Sequence, residues 1–184
     1  GKVIHLAHQL YVHRQWIPAV EVGDQLNYER NQKRAPRGAL SPFRNSDMAN
    51  ELHFLTIADA AELMRTRKLS PVEYTDALLS RIDALEPQLN AFITRTAERA
   101  RREARAAEAE IAAGRYRGPL HGMPFALKDI YDTQGILTSG GSKVCQDNIP
   151  AEDATTTRLL SEAGAILLGK LQTHEFAHGG PSFD

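Results

Sequence analysis

The chain has 184 residues, with 22 Lys and Arg against 23 Asp and Glu, so its formal net charge is -1 and nothing in that balance calls for nucleic acid. At 42% hydrophobic and 24% charged residues it is ordinary globular material, long enough for one substantial core, which excludes collagen-like, coiled-coil and wholly disordered classes. The single cysteine, Cys145, excludes an internal disulfide framework and a multi-cysteine zinc knuckle; it fits a reducing compartment, and the cytoplasm is the expected location.

The chain opens on Gly1 rather than Met, and His5, His8, His13 and Arg14 interrupt every signal-like apolar stretch. Residues 1–47 form a basic leader whose apolar residues keep no sustained period, and residues 31–47 are dense in Arg, Pro, Ser and Asn, so little stable structure is expected there. Met48, just before the first well-patterned segment, suggests a natural start and an upstream extension that is not native. From Thr56 the pattern sharpens. Thr56 and Asp59 resemble a capping box, with Ile57, Ala60, Ala61 and Met64 on one helical face. Ser70, Pro71 and Glu73 open a second helix whose apolar seam is Tyr74, Leu78, Ile82 and Leu85, and Pro87 is expected to end it.

Residues 89–93 are apolar and short enough for a strand or a packed linker. Residues 95–113 are rich in Ala, Arg and Glu and closed by Gly114, which predicts a long helix. Its interleaved glutamates favour a solvated face over an RNA-binding one. After Gly118 and Pro119, short apolar segments alternate with Gly-rich turns. Residues 125–127 and 166–168 read as buried strands with a helix over 154–163 between them, so an α/β fold with a partly parallel sheet is predicted. The longest apolar runs, such as 163–169, fall far short of the roughly 18 residues of a membrane-spanning helix.

Three features carry candidate chemistry. Lys128 ends the apolar run 124–127 and precedes Asp129. A lysine held there where water is scarce would have a depressed pKa and could serve as a general base. The alternative, favoured by local sequence alone, is a strand-end lysine that leaves the sheet for solvent or pairs with an acid. The loop holding Gly135, Thr138, Ser139, Gly140, Gly141 and Ser142 could bring backbone amides close to a ligand, but it matches no phosphate-binding motif and reads more simply as a turn. His174, Glu175, Phe176, Ala177 and His178 spell H-E-x-x-H, which on a helix would let both imidazoles share a zinc with Glu175 activating its water. Gly179, Gly180 and Pro181 would stop such a helix at once, and the third-ligand position of the extended motif falls on Asp184, the last residue, so no metal is expected.

Taken together, GPLHGMPFALKDIYDTQGILTSGGSK and EDATTTRLLSEAGAILLGKLQTHEFAHGG resemble the first half of the amidase signature family. The match runs in order through the Leu120, His121, Gly122 and Pro124 lead-in, Lys128 with Asp129, Gly141 with Ser142, the helix start at Asp153 to Thr155, the strand in 164–170, and Glu175 to Ala177. The helices between Thr56 and Leu85 are also similar. The resemblance covers about residues 50–184.

It implies an α/β core of mixed sheet flanked by helices and a Ser, cis-Ser, Lys triad in which Lys128 is the catalytic lysine. The two serines would lie beyond Asp184, and Ser139, Ser142 and Ser182 are not their equivalents. A cis peptide before a residue other than proline costs about 3–4 kcal/mol, strain of the kind expected at a functional site. Residues 48–184 are thus read as the N-terminal part of an amidase domain cut before its Gly/Ser-rich segment. Gly179 and Gly180 are candidate substrate-pocket residues. His174 and His178 are departures from the family pattern that created the zinc-like string by chance. The implied substrate is a small-molecule amide, with no cofactor, no nucleic acid bound directly and no membrane. A homo-oligomer is one arrangement; partner subunits are the other, if the chain is the A subunit of a tRNA-dependent amidotransferase that releases ammonia from glutamine.

Overall fold

In the computed structural model, residues 52–179 are described; the leader over 1–47, Gly180, Pro181 and Ser182 lie outside them. A short 3-10 turn, Leu52–Phe54, leads into α1, Ile57–Arg65. The capping box forms: Thr56 Oγ1 accepts from the Asp59 N–H at 3.1 Å and donates to the Asp59 carboxylate. Ala60, Ala61 and Met64 are buried as expected, but Ile57 is left 41% exposed, because the cap turns the first residue of the helix away from the core.

Helix α2 spans Pro71–Leu89, with Ser70 Oγ accepting from the N–H groups of Val72 and Glu73 and Pro71 in the first turn. Pro87 does not end it. The proline sits in the last turn, where its missing N–H forgoes one helical hydrogen bond in an exposed stretch, and the helix stops instead at Asn90, which takes the left-handed cap conformation (φ 48°). The buried seam is also rotated from the expected one: Pro71, Tyr74, Thr75 and Leu79 are buried, while Leu78 and Ile82 pack at its margin and Leu85 is half-buried.

Strand β1, Phe92–Arg95, is followed by α3, Ala97–Ala112. Ala100, Ala104, Ala107 and Ile111 line its buried side, small enough to bring the helix close to α2 and the sheet. Its charged residues largely face solvent, where Arg101 pairs with Asp76 of α2 at 2.8 Å, as the solvated reading required. Strand β2 is Pro124–Lys128, α4 is Thr155–Glu162 and β3 is Ile166–Leu171.

The sheet order is β1-β3-β2, with β1 antiparallel and β2 parallel to the central β3. It is a mixed sheet, as predicted. Register pairs Leu127 with Lys170 and Lys128 with Leu171, after an irregularity between Phe125 and Ala126. The resulting offset frees the Leu167 N–H, and Glu103 of α3 accepts it at 3.0 Å. Leu79, Ala100 and Ala104 pack on Ile166 and Leu168, whereas Leu160 of α4 packs on Leu127, Ala165 and Leu167. Alternation along β3 therefore sends successive residues to α2 and α3 on one face and to α4 on the other. Helices flank both faces.

Candidate active site around Lys128 and the Asp129–Lys170 pair

The carboxyl ends of β2 and β3 lie side by side, which is where the parallel pair carries its chemistry-bearing side chains. Leu127 is buried toward α4, so the pleat directs Lys128 to the opposite face, where it is half-buried. Among the described residues no carboxylate pairs with Lys128. The strand-end lysine paired with an acid is a different residue.

Lys170, the penultimate residue of the central strand, is completely buried, and its Nζ lies 3.2 Å from Asp129 Oδ1 and donates to Thr138 Oγ1 at 2.6 Å. Burial pushes the Lys170 amine below its ordinary range, and the neighbouring Asp129 carboxylate pulls it back up. Asp129 Oδ2 accepts from both the N–H (2.9 Å) and the hydroxyl (2.7 Å) of Ser139. A lysine desolvated by burial is thus present on the neighbouring strand, at Lys170. A lysine inside the apolar run ILLGKL was the sequence signal for this pair, since a buried cation demands a buried acid.

The loop after β2 is far from a plain turn. Thr138, Ser139 and Ser142 are buried, and the Gly140 N–H donates to Asp129 O at 2.9 Å while its carbonyl accepts from Phe176 N–H at 2.7 Å. Gly141 has φ 67°, and a Cβ there would lie 2.6 Å from the Thr173 carbonyl oxygen, so only glycine fits. Ser142 Oγ donates to Glu175 at 2.6 Å and accepts from Val144 N–H, capping the 3-10 turn Lys143–Cys145. Both hydroxyls, on Ser139 and Ser142, donate to carboxylates.

The H-E-x-x-H string does not form an α-helix. Glu175–Ala177 is one 3-10 turn in which Phe176 (φ 49°) and Ala177 (φ 57°) are left-handed, a strain of about 1–2 kcal/mol per residue. The single-face geometry that would let His174 and His178 share a metal is absent, and Glu175 is held by Ser142 instead. Among the described residues no group of three metal-ligating side chains converges. Gly179 is exposed, with φ 112° and open space where a side chain would stand, whereas Gly180 is outside the described residues.

Behind the sheet end, His121 is buried beside Gly164. Its Nδ1 accepts from the Arg117 N–H at 3.1 Å and its Nε2 lies 3.3 Å from Glu110 Oε2. Burial, helped by the Arg117 guanidinium, lowers its pKa against the opposing pull of Glu110; with Nδ1 occupied as an acceptor, the neutral ring carries its proton on Nε2.

A sequence model of the Amidase family matches residues 73–182. The A subunit of glutamyl-tRNA(Gln) amidotransferase from Roseiflexus sp. (strain RS-1) is 48% identical over 128 residues, covering 70% of this chain and 26% of that protein. The corresponding subunit from Moorella thermoacetica is 45% identical over 129 residues, with the same coverage. Among solved structures, the native peptide amidase from Stenotrophomonas maltophilia superposes with a TM-score of 0.61 at 39% identity, over 65% of this chain and 25% of that one. A bacterial aryl acylamidase of the amidase signature family gives 0.63 at 26% identity, over 68% and 26%. The chain therefore spans about a quarter of the length of the proteins it matches.

Proposed function

Since this chain belongs to the amidase family and carries its fold, we propose that it supplies the lysine, Lys128, to an enzyme that hydrolyses carbon–nitrogen amide bonds through a Ser, cis-Ser, Lys triad. One observation carries the reading: Lys170 is tied to Asp129 and Thr138, whereas Lys128 stands half-buried at the adjacent strand end with no carboxylate partner among the described residues. An amine locked in a charged pair is a poor proton acceptor, and an unpaired one beside an apolar sheet can exchange its proton.

In this reading residues 48–184 are the N-terminal part of the domain, and both serines lie beyond Asp184. The Lys128 amine takes the proton of the cis-serine hydroxyl, which takes that of the nucleophilic serine as its oxygen attacks the amide carbonyl. The C–N bond breaks when the nitrogen receives a proton back through the relay, and water then cleaves the resulting ester and regenerates the serine. Backbone N–H groups near the nucleophile hold the oxyanion. Gly179 and Gly180 border the substrate, the open space at Gly179 supporting that role. Residues 1–47 are a dispensable leader, which strong hydrogen-exchange protection across residues 12–22 would contradict. The enzyme acts in the cytoplasm.

The test is Lys128→Ala in the full-length protein. A fall in kcat of about 100- to 10,000-fold with an unchanged circular dichroism spectrum is expected. Lys128→Arg should not restore activity, since a guanidinium stays protonated. Wild-type turnover in either variant removes lysine from the mechanism. A second reading is favoured by the 45–48% identity to amidotransferase A subunits: the same chemistry on glutamine, with the ammonia used by partner subunits. Co-purification with those subunits and charged tRNA, and ammonia release only in their presence, distinguishes it from a free-standing amidase.

A further inference from the structure

We propose that the Asp129–Lys170 pair, gripping the loop through Thr138 and Ser139, is the device that positions Lys128; the assignment rests on the reading of Lys128 as the base given above. A lysine side chain is a flexible four-carbon stem, so its amine is only as well placed as the backbone from which it projects. That backbone is held with unusual completeness one residue downstream. The Asp129 N–H donates to Leu171 O at 3.0 Å, its carbonyl accepts from Gly140 N–H at 2.9 Å, and its carboxylate takes two hydrogen bonds from Ser139. The Lys128 carbonyl itself accepts from Tyr131 N–H at 3.1 Å.

Lys170 closes the arrangement from the neighbouring strand. It faces Asp129 Oδ1 at 3.2 Å and donates to Thr138 Oγ1, while Thr138 is clipped to Asn148 by its N–H and its carbonyl, each at 2.9 Å. Ser139 Oγ, besides donating to Asp129, accepts from Gly141 N–H at 3.2 Å. The loop is thereby fastened to the ends of both strands and, through Gly140 and Phe176, to the turn at 175–177.

Stability alone does not account for such a pair. A buried ion pair can often be exchanged for apolar residues of similar volume at little loss or even some gain, because desolvation offsets the Coulomb attraction. What an apolar exchange cannot reproduce is direction: Asp129 fixes the loop by accepting from an N–H and a hydroxyl, and Lys170 fixes it by donating to Thr138. Asp129, Lys170, Thr138 and Ser139 are positioning residues that act on the reaction only through Lys128.

The experiment measures steady-state hydrolysis of a simple amide by the full-length protein and its Thr138→Val, Ser139→Ala and Lys170→Met variants. Each should lose about 10- to 100-fold in kcat with KM nearly unchanged, as small misplacements of a reacting group do. Thr138→Ser, which keeps the hydroxyl that Lys170 donates to, should hold kcat near the wild-type value. An unchanged kcat in the deletion variants, or a loss that falls on KM with kcat intact, overturns the assignment. If Lys170→Met does not fold, Thr138→Val and Ser139→Ala, which each delete one hydroxyl, decide the matter. Full activity in Lys128→Ala removes the catalytic reading itself, whereas an inactive Lys128→Ala beside an unaltered Thr138→Val removes only the positioning role.

Discussion

The Lys170 ammonium lies 3.2 Å from the Asp129 carboxylate, with both side chains sealed from solvent, and that pair joins the central strand of the sheet to the residue directly after Lys128. Asp129 also binds the Ser139 N–H and hydroxyl. Removing either charge alone leaves the other buried with hydrogen bonds but no counter-charge.

For that reason Lys170→Met is expected to destabilise the full-length protein by about 3–5 kcal/mol. Coupling it with Asp129→Leu should recover much of the loss. Urea unfolding of the two single variants and the double variant checks this; simple addition of the single losses would contradict a buried, mutually dependent pair.

Gly141 and Gly135 both have positive φ, at 67° and 73°, but only Gly141 sits against the Thr173 carbonyl, and nothing lies within 4 Å of a Cβ at Gly135. Gly135→Ala should cost about 1–2 kcal/mol, the left-handed penalty alone. Gly141→Ala should cost clearly more, since backbone must also shift. Melting temperatures of the two variants compare them directly.

Buried His121 favours its neutral form in the folded protein. Between its lowered folded value and the unfolded value of about 6.5, the unfolded chain binds more protons, so this stabilisation is full above about pH 6.5 and is lost as pH falls through the folded value. Denaturation midpoints should decline on acidification across that window, and His121→Gln should decline less steeply. An equal acid sensitivity in the variant would show that other groups, not His121 with Glu110 and Arg117, set it.

Leu79 fastens α2 to Ala100 and Ala104 of α3 and to Ile166 and Leu168 of the central strand. Leu79→Ala should destabilise by about 2–5 kcal/mol, whereas Leu85→Ala, at a half-buried position the periodic seam would have favoured, should cost much less. Chemical denaturation of the pair of variants tests which face is the packed one.

Short-range signals along the chain account for much of the frame. Local signals that act within one turn were legible: the Thr56 and Ser70 caps, Pro71 in the first turn, the Ala-rich face of α3 and the short apolar strands each appeared where capping, propensity and period required. The ordered motif from Gly118 to Gly180 identified the family and singled out Lys128 by resemblance. Pro87 misled because a proline in a last, solvent-facing turn loses little, and Asn90 then terminates the helix.

Contacts between residues far apart in the chain come from the fold instead. Nothing local says that Lys170 meets Asp129, that Ser142 meets Glu175, or that Gly141 must clear Thr173, because those meetings depend on the parallel pairing of β2 with β3. The same is true of H-E-x-x-H. Its spelling is a statement about an α-helix, and the packing of Phe176 against Gly140 with a left-handed turn removes the helix on which that chemistry depends. Which of two lysines is buried with an acid and which is left available was set by strand register, a property that no single segment of sequence contains.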